Sequence, residues 1–132
     1  IFYFFRNIGT IVMATIIAVE DSPSTRRIVV DTLKEAGHAV MEAENGIEAL
    51  KVLSGKKVDL IITDINMPHM DGVELTKKLR VEHNFKFTPI LMLTTETAGH
   101  KRLKSKEAGA TAWLVKPFDS KKLLMVVAKL IR

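Results

Sequence analysis

The sequence predicts an α/β domain, a five-stranded parallel sheet with helices on both faces. Three observations predict it. Short apolar runs without alternation recur at residues 15–19, 60–62 and 89–93, the pattern of strands buried on both sides. Between them lie stretches whose apolar residues fall at helical spacing. The connections are short and rich in turn residues, so right-handed crossovers must cover both faces and bring all five strand ends to one edge.

Taken in order, Thr15 to Val19 forms the first strand and runs into Glu20-Asp21. Ser22 is an N-cap candidate and Pro23 suits the first helical position, whose N–H needs no partner. Val29, Leu33 and Ala36 then mark one helical face, and Gly37 supplies a left-handed stop. Ala39 to Glu42 is a brief second strand. Asn45, with Glu48 three residues on, resembles a capping pair that opens a short helix closed by Gly55.

The third strand, ending at Asp64, is followed by loop residues and by Asp71-Gly72. An acid at a strand end commonly caps the next helix, but Asp71 is placed for that role and leaves Asp64 without a structural task. Leu75 and Leu79 mark the inner face of a helix expected to end near His83. Pro89 to Leu93 delivers Thr94-Thr95-Glu96 to the edge. The following helix, from about Thr97 to Ala108, has Leu103 as its one large apolar residue and should be weakly held. Ala112 to Val115 is the last strand and ends at Lys116-Pro117-Phe118. The final helix, capped by Asp119, turns Leu124, Val127 and Ile131 inward.

Composition narrows the chemistry. The 132 residues fit one domain, and the net charge of +5 gives some bias toward acidic partners without by itself indicating nucleic acid. There are no cysteines, which excludes disulfides, zinc-thiolate sites and thiol catalysis and is compatible with a reducing cytoplasm. The predicted edge gathers Glu20, Asp21 and Asp64, three carboxylates that repel one another unless protonated or bound to a cation. An all-oxygen set favours a hard ion, most simply Mg²⁺. With Lys116 adding a second positive charge and Thr94 a hydroxyl, Asp64 has the surroundings of a phosphoryl acceptor.

The ordered set Glu20-Asp21, Asp64 with Met67-Pro68 and Met70-Asp71-Gly72, Thr94 and Lys116-Pro117 resembles the receiver domain of two-component response regulators. The resemblance covers residues 13 to 132, and the stretches 21–27 and 108–113 are similar to single-domain receivers of the chemotaxis type. It implies strand order 2-1-3-4-5 in the flavodoxin-like manner. It implies that Asp64 is phosphorylated from a histidine kinase's phosphohistidine. Asp21 and Asp64 would ligate Mg²⁺ directly, Asn66 through its backbone carbonyl, and Glu20, which replaces the commoner Asp, through water. Lys116 would pair with the phosphoryl group and Thr94 would turn its hydroxyl to it. Asn66 and Glu96 would flank the path of the hydrolytic water. Trp113 falls at the switch aromatic, usually Tyr or Phe, and the bond before Pro117 is expected to be cis.

The same resemblance implies a cytoplasmic monomer that is not an enzyme toward external substrates. Its partners would be a histidine kinase and a phosphorylation-dependent target, first a flagellar-motor switch, with a phosphate sink or an adaptor in another pathway as alternatives. A haloacid-dehalogenase-like phosphatase would need a second Asp where Asn66 stands, and a flavin module would need a phosphate-accepting loop where Glu20-Asp21 stand. A nucleic-acid role lacks a recognition helix, since every helix is needed to cover the sheet. His38, His69, His83 and His100 make no ligand pair and read as exposed surface. Residues 1–12, holding Phe2, Tyr3, Phe4 and Phe5, are a composition break interrupted by Arg6 and Asn7. They are read as an upstream extension, artefact or appendage, and not as a membrane anchor.

Overall fold

The structure, a computed structural model, describes residues 13–95 and 99–131. The extension expected over residues 1–12, and Glu96 and Thr97 of the fourth loop, lie outside the described residues. Strands β1 (Thr15–Val19), β2 (Ala39–Ala43), β3 (Leu60–Asp64), β4 (Ile90–Thr94) and β5 (Ala112–Val115) form one sheet. They alternate with helices α1 (Pro23–Glu35), α2 (Gly46–Leu53), α3 (Gly72–Arg80), α4 (Gly99–Ala108) and α5 (Ser120–Leu130), and a 3₁₀ turn spans His83–Phe85. The order is β2-β1-β3-β4-β5 and every pairing is parallel, as expected.

Period-2 alternation sends successive strand residues to opposite cores. Ile17, Val19, Ile61, Ile90 and Met92 face one side, where Ala49 and Leu53 of α2 and Leu75 and Leu79 of α3 cover them. Ile16, Ala18, Ile62, Leu91 and Leu93 face the other, under Val29, Val30 and Leu33 of α1 and Leu123 and Val127 of α5. Strands β3 and β4 are buried along their whole length, which is why they carry apolar residues without alternation. Among the described residues no helix is long and apolar enough to cross a membrane.

The caps are those the sequence indicates. Ser22 accepts from the N–H of Thr25 at 3.4 Å, Asn45 from Glu48, Asp71 from Glu74 and Asp119 from Lys122. Gly37 takes the left-handed conformation at φ 98° where α1 stops.

Three expectations need correction or completion. Helix α3 ends at Arg80, not near His83, because the chain breaks at Glu82 in extended conformation before the separate 3₁₀ turn. In α5 Leu124 and Ile131 do pack against the core but are only partly buried, and the helix adds a fully buried leucine that the expectation left out, Leu123, one turn before Val127. His38 is not simply exposed: half-buried, its Nδ1 accepts the N–H of Ala14 at 3.1 Å. The other three histidines are exposed.

Candidate functional site

Ladder bonds continue one residue past several strands and hold their ends in step. The N–H of Glu20 donates to Ala43, that of Ile65 to Leu93, and that of Lys116 to Thr94. The sheet register, with Asp64 opposite Leu93 and Thr94 opposite Val115, brings the polar ends of β1, β3, β4 and β5 to one edge. After β3 the chain turns through His69, at φ 70°, and the N–H of Gly72 returns to the carbonyl of Ile65 at 2.8 Å. A side chain at Gly72 would meet the carbonyl of Asp64, so this close return requires glycine.

At that edge the carboxylates of Glu20, Asp21 and Asp64 present oxygens all within 4.8 Å of one another. Lys116 closes the group: its ammonium donates to Glu20 Oε1 at 2.7 Å and lies 3.2 Å from Asp64 Oδ2. Glu20 is 1% exposed, Asp64 is buried and Asp21 is open to solvent. Burial, with Asp64 alongside, pushes the Glu20 carboxyl up to about 7 against the opposing pull of Lys116. For Lys116 burial acts downward, but the contacts with Glu20 and Asp64 outweigh it and hold the ammonium above its ordinary value.

The residues fit a hard cation on an observation of their own. Among the described residues Glu20 Oε2, which is buried, has no hydrogen-bond partner, although a buried carboxylate oxygen is ordinarily satisfied. One lysine therefore serves only part of a three-carboxylate cluster, and the oxygen donors left over suit a divalent ion.

The remaining expected residues are placed as follows. Thr94 is buried at the end of β4, and its hydroxyl donates to the carbonyl of Thr95 at 3.2 Å, not to the carboxylates. Asn66 is exposed on the loop after Asp64, and its Oδ1 accepts from Lys101 of α4 at 2.7 Å. Trp113 is half-buried; its indole N–H donates to Ser105 Oγ at 2.8 Å and Arg102 lies over the ring at 5.4 Å. The peptide bond between Lys116 and Pro117 is cis.

Several contacts have no signal in the sequence. Arg26 of α1 donates to the Glu20 carbonyl and pairs with Glu42 at 3.2 Å, so the end of β2 carries a structural acid and not a reactive one. Arg80 donates to the carbonyls of Gly109, Phe85 and Thr88, joining the end of α3 to the segments before β4 and β5. Ser105, fully buried on α4, is the acceptor for Trp113. None of these could be read from type or spacing, because each partner lies in another element.

The response regulator receiver domain matches residues 16–128. A chemotaxis protein CheY homolog of Campylobacter jejuni is 43% identical over 105 residues, covering 78% of this chain and 81% of its own. The solved chemotaxis response regulator CheY4 of Vibrio cholerae superposes with a TM-score of 0.85 at 47% identity, over 90% of this chain and 99% of that one. The receiver domain of a Pseudomonas aeruginosa sensor histidine kinase, solved with magnesium coordinated in its active-site cleft, has a TM-score of 0.84 at 28% identity, over 91% and 98% of the two chains. With the parallel order and the acid–lysine edge already in place, the chain belongs to the response regulator receiver family and is homologous to the CheY chemotaxis regulators of two-component signalling.

Proposed function

We propose that Asp64 accepts a phosphoryl group from the phosphohistidine of a histidine kinase, and that the phosphorylated chain then signals in chemotaxis by binding a protein target. The observation that carries this reading is the contact of Lys116 with both Asp64 and Glu20 inside a cluster of three carboxylates. A carboxylate beside a lysine and a cation site is a nucleophile whose incoming partner, a dianion, would meet compensating charge.

In the transfer an oxygen of Asp64 attacks phosphorus and the bond from phosphorus to the histidine nitrogen breaks, the nitrogen keeping the electron pair. Asp21, Asp64 and the backbone carbonyl of Asn66 would hold Mg²⁺, with Glu20 supporting it through water. The ion would neutralise charge on the phosphoryl oxygens. Lys116 would pair with a phosphoryl oxygen, and Thr94 would exchange its bond to the Thr95 carbonyl for one to the same group. Asn66 and Glu96 would flank the water that later releases phosphate, so the chain resets itself and turns over no external substrate. A cytoplasmic, monomeric regulator acting on a flagellar-motor switch is the setting this reading implies.

The output face would be α4, β5 and α5. Lys101, Arg102, Lys104 and Lys106 of α4, Trp113 of β5, and Lys121 and Lys122 of α5 give it a basic character with an aromatic centre, suited to an acidic or amphipathic segment. Incubation with Mg²⁺ and a small phosphodonor should add one phosphoryl group, read by intact mass at low temperature. Label retained undiminished in Asp64→Asn would overturn the assignment.

A further inference from the structure

Helix α4 is held to the domain by polar contacts more than by apolar packing. Its one buried residue is Ser105, and its large apolar residue, Leu103, is 59% exposed. Its first turn reaches the domain through Lys101, whose ammonium donates to Asn66 Oδ1 at 2.7 Å and lies 3.9 Å from Asp71 Oδ2. Those two partners stand near the two ends of the loop after Asp64. Asp71 is already committed through Oδ1 as the cap of α3, so Lys101 bridges a fixed point of that loop to Asn66.

The consequence lies in the chemistry of the Asn66 carboxamide. Its oxygen is the side chain's sole acceptor, while the amino group can only donate. While Lys101 donates to Oδ1, less of that oxygen's acceptor capacity is left to orient a water lone pair toward a group on Asp64. A water-positioning acceptor is what hydrolysis of a phosphoryl group most needs from its surroundings.

We infer that Lys101 is a positioning residue that lengthens the life of the phosphoryl group on Asp64 by engaging the carboxamide oxygen of Asn66. The inference deepens the proposed function and rests on Asp64 being the acceptor. In the hydrolysis concerned, the water oxygen forms a bond to phosphorus and the bond from phosphorus to the Asp64 oxygen breaks. Asp64 leaves with the electron pair as a carboxylate, and both water protons remain on the phosphate as dihydrogen phosphate, which then equilibrates with solvent.

The test follows phosphoryl loss by intact mass, in Mg²⁺ and after removal of the phosphodonor, in the unsubstituted chain, Lys101→Met, Lys101→Arg, Asn66→Ala and the Lys101→Met/Asn66→Ala pair. Lys101→Met should speed the loss about three- to tenfold, the scale of one exposed charge-assisted hydrogen bond. Lys101→Arg, which keeps a donor within reach, should restore most of the lifetime. In the Asn66→Ala background Lys101→Met should change the rate by less than about 1.5-fold, since no carboxamide oxygen remains to release. Unchanged or slower loss in Lys101→Met, loss in Lys101→Arg as fast as in Lys101→Met, or an acceleration that persists without Asn66 would each overturn the inference. Equal thermal midpoints for the Lys101 variants separate this effect from unfolding. Label that persists in Asp64→Asn is a different failure, that of the acceptor assignment itself.

Discussion

The indole N–H of Trp113 donates to the hydroxyl of Ser105, a fully buried residue of α4, at 2.8 Å. This bond ties the aromatic of β5 to a helix that has almost no apolar anchorage of its own. Because Trp113 is the chain's single tryptophan, its emission reports that bond directly. Ser105→Ala leaves a half-buried indole donor without its partner and should cost about 1 kcal/mol in urea unfolding, with a red-shifted emission. An unshifted spectrum at unchanged stability would show that the bond does not hold the ring.

The output face gives a second expectation. Phosphorylation adds about 1.5 to 2 negative charges, and bonds from Lys116 and Thr94 would draw the fourth loop inward. Amide-shift mapping with a phosphoryl mimic should find its largest changes in α4, β5 and α5. Changes confined to α1 and α2 would mean that the output face lies elsewhere. A full reversal of a two-state equilibrium from 1:99 to 99:1 needs roughly 5.5 kcal/mol, so a partial shift is expected.

A third concerns pH and metal. The Glu20 carboxyl titrates near 4.5 when unperturbed and is raised to about 7 in the folded protein. A raised carboxyl contributes stability that is fully present below its unfolded value and is lost as pH rises through its folded value. In EDTA this group should therefore make the protein less stable from pH 5 toward pH 8. Mg²⁺ competes with the proton, so its affinity should rise through the same window and offset the loss. Thermal midpoints at pH 5, 6, 7 and 8, with and without Mg²⁺, check both signs. Glu20→Gln should flatten the metal-free profile, and an unchanged slope would assign the dependence to other groups.

Arg80 carries the fourth. Its guanidinium donates to carbonyls of Gly109, Phe85 and Thr88, and among the described residues it has no acidic partner. Arg80→Ala removes several charge-assisted bonds at once and should cost about 2–4 kcal/mol in urea unfolding, and Arg80→Lys should recover only part of it, lacking the fork. A loss below about 0.5 kcal/mol, the scale of an ordinary surface change, would show that the carbonyls are satisfied without it.

The fifth concerns residues 1–12. A chain beginning at Met13 should fold and take up label on Asp64 at the unsubstituted rate. Lost solubility or lost labelling in that truncation would make the segment an integral part of the domain.

Much of this domain is legible in the sequence because its signals are local or periodic. The apolar runs at β3 and β4, the caps at Ser22, Asn45, Asp71 and Asp119, and the left-handed Gly37 each report a conformation settled within a few residues. The edge of Glu20, Asp21, Asp64 and Lys116 follows too, since a parallel sheet must bring its strand ends together. What only the tertiary structure decided are relations between elements. Whether Leu123 or Leu124 is the more deeply buried depends on how α5 rotates against the sheet, and two adjacent leucines leave that rotation open. The half-buried state of His38 depends on its meeting the N–H of Ala14, 24 residues away. Arg80 meets Gly109 across 29 residues and Lys101 meets Asn66 across 35, and no pattern of residue types announces such pairs. The Glu20 oxygen left without a partner among the described residues is of the same kind: its carboxylate is visible in the sequence, but its burial beside Asp64 and Lys116 depends on segments far apart in the chain.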